Sequence, residues 1–297
     1  MPAQALSSLP GLLLRAVATL QRHPQGRPPL PALQGHFEVA GIANTHVARY
    51  RQFFAAPGSQ VPLTYFYLLA QRAQIALMLD ARFPHAIPGL IHVRNELRLH
   101  ARCRETSRLD LHVSLLPHRP GDDERRVKFV VNISTAGRLL ASCISEYQTG
   151  RGTGKRQTAG PEALPGHYVT TDWAVAPATI RRYAFVSGDC NPIHLSSLLA
   201  RAFGLRRAIA HGMYVIGRVA ADIERSNGRQ LIAIDAHFRR PVPLPARLSF
   251  GFAATGGTQG DFGVLLPDEQ RLAVSGAWEC GAGETLEPPS LSVRRRN

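Results

Sequence analysis

Two short segments carry residues whose types and spacing suit catalysis: Ser187-Gly188-Asp189-Cys190-Asn191-Pro192-Ile193-His194 and Ala210-His211-Gly212-Met213. Gly188 permits a tight approach, and Asn191-Pro192 disfavours helix through Asn191, so Asp189 and His194 fall on an irregular turn. A turn aims both side chains at one point, which a helix with i,i+5 spacing does poorly. A carboxylate beside an imidazole can hold and deprotonate a water, because the pair tunes histidine toward neutral pH. Asn191 is placed to tie the turn together through its amide. Gly212 opens an apolar helix, where a backbone N–H without a helical partner sits at the positive dipole end and suits a developing oxyanion. Plainer readings stand beside this one. Asp189 can serve as a simple cap and His194 as an ordinary loop histidine, or Asp189, Cys190, His194 and His211 can be arranged as zinc ligands. The water-activating pair needs no metal, and no metal or cofactor is expected.

The elements that position these residues follow from apolar periodicity. Ile180, Tyr183 and Ala184 fall on one face of a short helix that Pro177 starts. A longer helix begins at Gly212, with Ile216, Val219, Ala220 and Ile223 inward and Gly228 at its C-terminal cap. Strands follow near 231–238, 246–254, 262–266 and 271–280. The first half repeats this plan. Val47, Arg49 and Tyr50 match Ile180, Arg182 and Tyr183 at a constant offset. A helix over 65–79, with Leu68, Leu69, Ile75, Ala76 and Leu79 inward, precedes strands near 92–100, 108–116, 128–134 and 139–148. One central helix followed by antiparallel strands, twice over, is an α+β pattern in which each sheet wraps a buried helix. The first copy has only 57–64 where the second inserts the Asp189–His194 turn, a helical stretch near 195–203 and Ala210–Met213; such insertions usually serve a site. Residues 148–167, rich in Gly, Thr and charge, read as a linker.

Composition narrows the function classes. Over 297 residues, 44% hydrophobic and 19% charged content describe an ordered globular chain. No apolar run is long enough to span a bilayer. Cys103, Cys143, Cys190 and Cys280 are far apart, which suits reduced thiols in the cytoplasm better than a disulfide framework or a structural zinc site. The net charge of +14 rests almost wholly on arginine, Lys128 and Lys155 being the only lysines. The arginines are scattered apart from Arg294-Arg295-Arg296, and no nucleic-acid-binding spacing accompanies them, so a phosphorylated small ligand is the better use of the charge. Residues 1–35 hold no acidic residue and several prolines, with Leu12-Leu13-Leu14 in a short amphipathic stretch. Their composition is like that of a transit peptide, but the prolines suit an arm of the mature protein draped over a domain.

The string Tyr183-x-x-x-Ser187-Gly188-Asp189-x-Asn191-Pro192-Ile193-His194, with Ala210-His211-Gly212-Met213 behind it, resembles the hydratase signature of MaoC-like dehydratases, including the (R)-specific enoyl-CoA hydratases known as hydratase 2. Phe238-Arg239-Arg240-Pro241-Val242-Pro243 also resembles the strand and turn after that family's central helix, and 83–95 its non-catalytic half. The resemblance covers the chain from about His36 onward. It implies a double hot-dog fold, two antiparallel sheets each wrapped around a central helix, with an arm over 1–35, a non-catalytic module over 36–147 and a catalytic module over 168–297. It implies reversible hydration of trans-2-enoyl thioesters of CoA or acyl carrier protein to (3R)-3-hydroxyacyl thioesters. Asp189, His194 and Gly212 would be catalytic, Asn191, His211 and Met213 would line the substrate, and the acyl chain would lie between the halves. Ala56 stands where Asp189 falls in the first copy, which would therefore be inert. Ser196 departs from the acidic residue common at its position.

Two other functions stay open: a non-catalytic acyl-thioester binder, and a hot-dog thioesterase, for which the central helix offers only Asp222 and Glu224 near its far end. Arg94, Arg239 and Arg240 lie where a thioester's phosphate would approach, or are solvated strand ends. His92, His112 and the other strand histidines are assigned no role. One chain holds the pair of modules that single-module relatives make by dimerising, so a monomer suffices and a homodimer stays open.

Overall fold

The computed structural model describes residues 3–22, 29–101, 108–149, 169–254 and 257–281. Its elements run β1 (Gln4–Ala5), α1 (Leu9–Val17), β2 (Leu33–Val39), α2 (Asn44–Phe54), α3 (Phe66–Met78), β3 (Ile91–Leu99), β4 (Leu109–Leu116), β5 (Arg126–Thr135) and β6 (Arg138–Gln148). They continue as β7 (Val169–Val175), α4 (Pro177–Ser187), α5 (Pro192–Leu195), α6 (Ser197–Ala202), α7 (Gly212–Asn227), β8 (Leu231–Phe238), β9 (Ala246–Phe252), β10 (Gln259–Leu266) and β11 (Arg271–Cys280). No described helix is long and apolar enough to cross a membrane.

The repeat read from the sequence is visible in the strand order, β1-β2-β4-β5-β6-β3-β8-β11-β10-β9-β7. From the centre outward, β3-β6-β5-β4-β2 on one side answers β8-β11-β10-β9-β7 on the other. This is the double hot-dog, with one correction. The two expected sheets are joined edge to edge by antiparallel pairing of β3 with β8, Arg94 opposite His237 through Arg98 opposite Ala233, into one continuous sheet. Joining the edges removes two rows of unpaired backbone groups that separate sheets would leave exposed. Within the seam, Arg94 donates to both oxygens of Asp235 at 2.9 Å, to Glu146 at 3.1 Å and to Glu96 at 2.8 Å. Three carboxylates therefore hold this arginine, which favours neither of the two readings left open for it, a phosphate contact or a solvated strand end.

Each concave side holds its helix. The α3 helix packs against β2, β4, β5 and β6, and is buried nearly all round, so the one-sided stripe expected for it is too narrow. On α7 the expected inward residues Ile216, Val219, Ala220 and Ile223 are buried, and Gly228 caps the end with a left-handed φ of 62°. Strands β2 and β7 were not read from the sequence, and the boundary at 35/36 falls inside β2. The arm is more ordered than a draped extended segment: β1 pairs parallel with β2, and α1 buries Leu9 and Leu12 against Ile75 and the partly buried Ala76 and Leu79. The linker beyond Thr149, Cys103 and the arginine tail lie outside the described residues.

If the Arg94 cluster secures the seam, Arg94→Leu leaves three carboxylates facing one another. It should lower stability by about 1–3 kcal/mol, between the values of exposed and buried ion pairs. The urea midpoint measures this.

Candidate active site

Helix α4 ends in Gly188, whose φ of 76° belongs to the left-handed region where glycine is at ease, and the chain turns sharply into Asp189. The turn is then fixed by local bonds. Asp189 N–H donates to Ser187 Oγ at 3.2 Å, and Asn191 N–H donates to Asp189 Oδ1 at 3.2 Å. Asn191 Oδ1 accepts from Ile193 N–H at 3.3 Å and so caps α5, which Pro192 starts and which ends on His194 and Leu195. The expected irregular turn is present, and Asn191 spends its amide within it. Ser196 caps α6 through Leu199 N–H, a role its hydroxyl fills in place of an acidic side chain.

Two histidines meet beside this turn. The rings of His194 and His211 stack with centroids 3.7 Å apart. His194 Nδ1 lies 2.9 Å from the Ile209 carbonyl, so this nitrogen carries the proton and leaves Nε2 as an acceptor. His211 Nε2 donates to the Asp189 carbonyl at 2.9 Å, which anchors the turn to the start of α7. Burial holds both rings below histidine's usual pKa, His211 at about 3, with neighbouring His194 pressing it further down. Burial opposes the charge on Asp189, but His211, His194, the Gln71 amide and the Asn191 N–H together hold it below the ordinary carboxylate range. The site thus presents a carboxylate and a neutral imidazole acceptor side by side. These commitments also weaken the zinc arrangement, since His194 Nδ1, His211 Nε2 and Cys190 Sγ all turn toward backbone carbonyls.

The first half supplies what the sequence reading missed. Gln71 on α3 donates from Nε2 to Asp189 Oδ2 at 2.9 Å. Tyr67 lies one helical turn before it, and its ring is stacked on His92 of β3. His92 in turn packs on Tyr147 and on Phe238 of β8. Phe238 closes the circuit: a Cβ at Gly212 would lie 2.6 Å from its ring. Gln71, His92, Asp189, His194, Gly212 and Phe238 each keep partial access to solvent although they sit among buried neighbours, the pattern expected of residues that line a cleft. His92 is thereby corrected from a residue without a role to part of this wall, while His112 stays exposed and stacked on His36. The signal available in the sequence was the pair Gln71 and Gln74, with Arg72 between them, on an otherwise apolar helix. Met213 is buried in the core beneath the site.

The carboxylates a thioesterase would need are occupied elsewhere. Asp222 accepts from Trp173 Nε1 at 2.9 Å and pairs with Arg218 and Arg225, and Glu224 accepts from Leu231 N–H at 3.0 Å. Arg239 and Arg240 also have partners, Ser275 Oγ and the Leu272 carbonyl.

Comparison with known proteins agrees with this geometry. A family model described as a MaoC-like domain matches residues 161–265. A 3-hydroxyacyl-thioester dehydratase X of Mycobacterium tuberculosis is 32% identical over 195 residues, covering 64% of this chain and 68% of that protein. The crystal structure of HtdX of Mycobacterium tuberculosis superposes with a TM-score of 0.65 at 27% identity, covering 82% of this chain and 98% of that one. A MaoC-like dehydratase from Phytophthora capsici shares the fold, with a TM-score of 0.69 at 13% identity over 86% of this chain and 97% of that one.

The Gln71 bond has a measurable consequence. A hydrogen bond to a charged group favours the charged form. In Gln71→Leu the Asp189 carboxyl should therefore titrate higher than in the wild type, as followed by carbon-detected NMR. An unmoved titration would show that Gln71 does not hold the carboxylate.

Proposed function

The chain belongs to the MaoC-like dehydratase family, and from that premise we propose that it catalyses the reversible hydration of trans-2-enoyl thioesters to (3R)-3-hydroxyacyl thioesters. The observation that carries this reading is the pairing of an ionised Asp189 with a neutral, outward-accepting His194 in a cleft that Gly212 also lines. A water held between the carboxylate and His194 Nε2 loses a proton to the pair as its oxygen bonds to C3. Electron density moves through C2 to the thioester oxygen, where the free N–H of Gly212 at the start of α7 receives the developing charge. The proton then returns from the pair to C2. Dehydration is the same path reversed: C2 gives up its proton, and the C3 oxygen leaves as water.

In this assignment Asn191 and His211 hold the turn and Met213 supports it from the core, so all three act through Asp189 and His194 rather than by lining the acyl chain. The module without the motif runs from β2 to β6 and the catalytic module from β7 to β11, with the acyl chain between them. CoA and acyl carrier protein present the same pantetheine arm, and either carrier fits. The free Cys143, Cys190 and Cys280 support a reducing cytoplasmic setting. A single chain already pairs two modules, so a monomer is sufficient.

Loss of enoyl absorbance on mixing with trans-2-enoyl thioesters of graded length tests the reaction. Asp189→Asn and His194→Ala should each slow hydration by about 10²–10⁴-fold, the usual range for a general acid–base group. A wild-type rate in either variant contradicts the assignment. The pH profile gives a second check. Protonation of His194 removes the Nε2 acceptor, and burial has lowered its pKa beneath the ordinary 6.5, so the acid limb of hydration should lie below that value. An acid limb above 6.5 would be the wrong sign.

A further inference from the structure

His92 belongs to the half without the hydratase motif, yet its surroundings are those of a ligand-contacting group. Strand β3 pairs His92 with Tyr147 and then skips to Arg94 opposite Glu146, so Val93 is bulged out. Bulges re-aim neighbouring side chains and gather beside active sites. Here the imidazole is clamped by three aromatic rings, with centroids at 4.7 Å to Tyr147, 5.6 Å to Tyr67 and 4.8 Å to Phe238. The Arg94 backbone takes up one ring nitrogen, in a contact that favours a proton there. His92 Nε2 is sealed from solvent and has no hydrogen-bond partner among the described residues. Leaving a buried polar atom unpaired is costly, and a clamp of three rings hinders the imidazole from turning to find relief. His92 is joined to the site by contact: its ring rests on Phe238, which covers Gly212, and on Tyr67, one helical turn from the Gln71 that bonds Asp189, and the charge of Asp189 acts on it. Burial keeps the ring at about pKa 3, hence neutral, and Nε2 with its lone pair free.

A lone pair needs a donor. Neither the thioester carbonyl nor the enoyl double bond offers one, whereas the oxygen that joins or leaves C3 does. The nucleophilic water carries two hydrogens, of which the base pair removes one; the other stays on the product hydroxyl. We propose that His92 is a substrate-contacting residue of the hydratase site, its Nε2 accepting the hydrogen that the C3 oxygen keeps. The inference rests on the hydration reading and deepens it. The half without the motif contributes a contact that recognises the 3-hydroxyl, and Gln71 from the same half holds the carboxylate that works on it.

The test compares the full-length protein with His92→Phe, which keeps the aromatic clamp and removes the acceptor, and with His92→Gln, which returns an acceptor at similar reach. Two quantities are read with pantetheine thioesters: kcat/KM for enoyl hydration, and Kd for a saturated acyl thioester of the same length that lacks the C3 oxygen. The expected result is a fall of about 10–100-fold in kcat/KM for His92→Phe, an unchanged Kd for the saturated ligand, and partial recovery in His92→Gln. Hydration within threefold of wild type would overturn the proposal. So would a parallel loss of affinity for the saturated ligand, which would reduce His92 to a packing residue, or a His92→Gln no better than His92→Phe. If the wild type neither hydrates nor binds these thioesters, the hydration reading itself fails and takes this inference with it, an outcome visible before any variant is made.

Discussion

The structure is organised around keeping one carboxylate ionised deep in a cleft. Removing an ion from water is expensive unless hydrogen bonds and nearby dipoles replace what water gave. For Asp189 those replacements come from different parts of the chain: Gln71 from α3, the Asn191 N–H from its own turn, and the polarisable rings of His194 and His211 at the entry to α7. The local turn orients the group, but the strongest directional side-chain bond to it crosses from the other half. The two halves must therefore be docked before the charge is supported, and the seam between β3 and β8 with its Arg94 cluster does that docking.

Duplication followed by divergence explains why the halves look alike and act differently. Both short helices end in a left-handed cap, Ala55 with φ 50° and Gly188 with φ 76°. Glycine takes that conformation without strain, whereas alanine bears a cost, so the first copy keeps the turn in a less accommodating residue. After the cap stand Ala56 and Asp189. The first copy has lost the carboxylate but supplies partners for it: His46 on α2 bonds both Tyr65 and the Val186 carbonyl, linking the silent half to the helix that leads into the catalytic turn.

Residues close in sequence were legible, and those joined only by the fold were not. The turn from Ser187 to His194, the start of α7 at Gly212 and the cap at Gly228 follow from local propensity, and β8 and β11 were placed to the residue. The strands β2 and β7 escaped because each is a half-buried outer strand reading more like the tail of an arm or linker than an apolar run. Gln71 and His92 escaped for a different reason. A glutamine on a helix and a histidine on a strand gain meaning only through what lies opposite, and those partners, Asp189 for Gln71 and Tyr67, Tyr147 and Phe238 for His92, sit on other elements of the chain. Arg94 illustrates the converse: its charge suggested an anionic ligand or open solvent, while cross-strand neighbours at 146 and 235 had already claimed it.

The arm completes this dependence on distant pieces. A Cβ placed on Gly188 would lie 3.5 Å from Leu9 Cβ and 3.8 Å from Pro10, so the first turn of α1 rests against the cap that aims Asp189. Along the same face α1 buries Leu12 and Ala16, with Leu12 packed toward α3, the helix that carries Gln71. One short amphipathic helix therefore touches both the turn bearing the carboxylate and the helix bearing its donor. Arg72, next to Gln71, reinforces this by donating to the Leu6 and Ser7 carbonyls at 2.7 and 2.9 Å. The distance between Gln71 and Asp189 is thus set from three sides: the sheet seam, the packing of α2 on α4, and the arm. A site held this way cannot be assembled by the motif-bearing half alone, even though that half contains every residue whose identity the motif specifies.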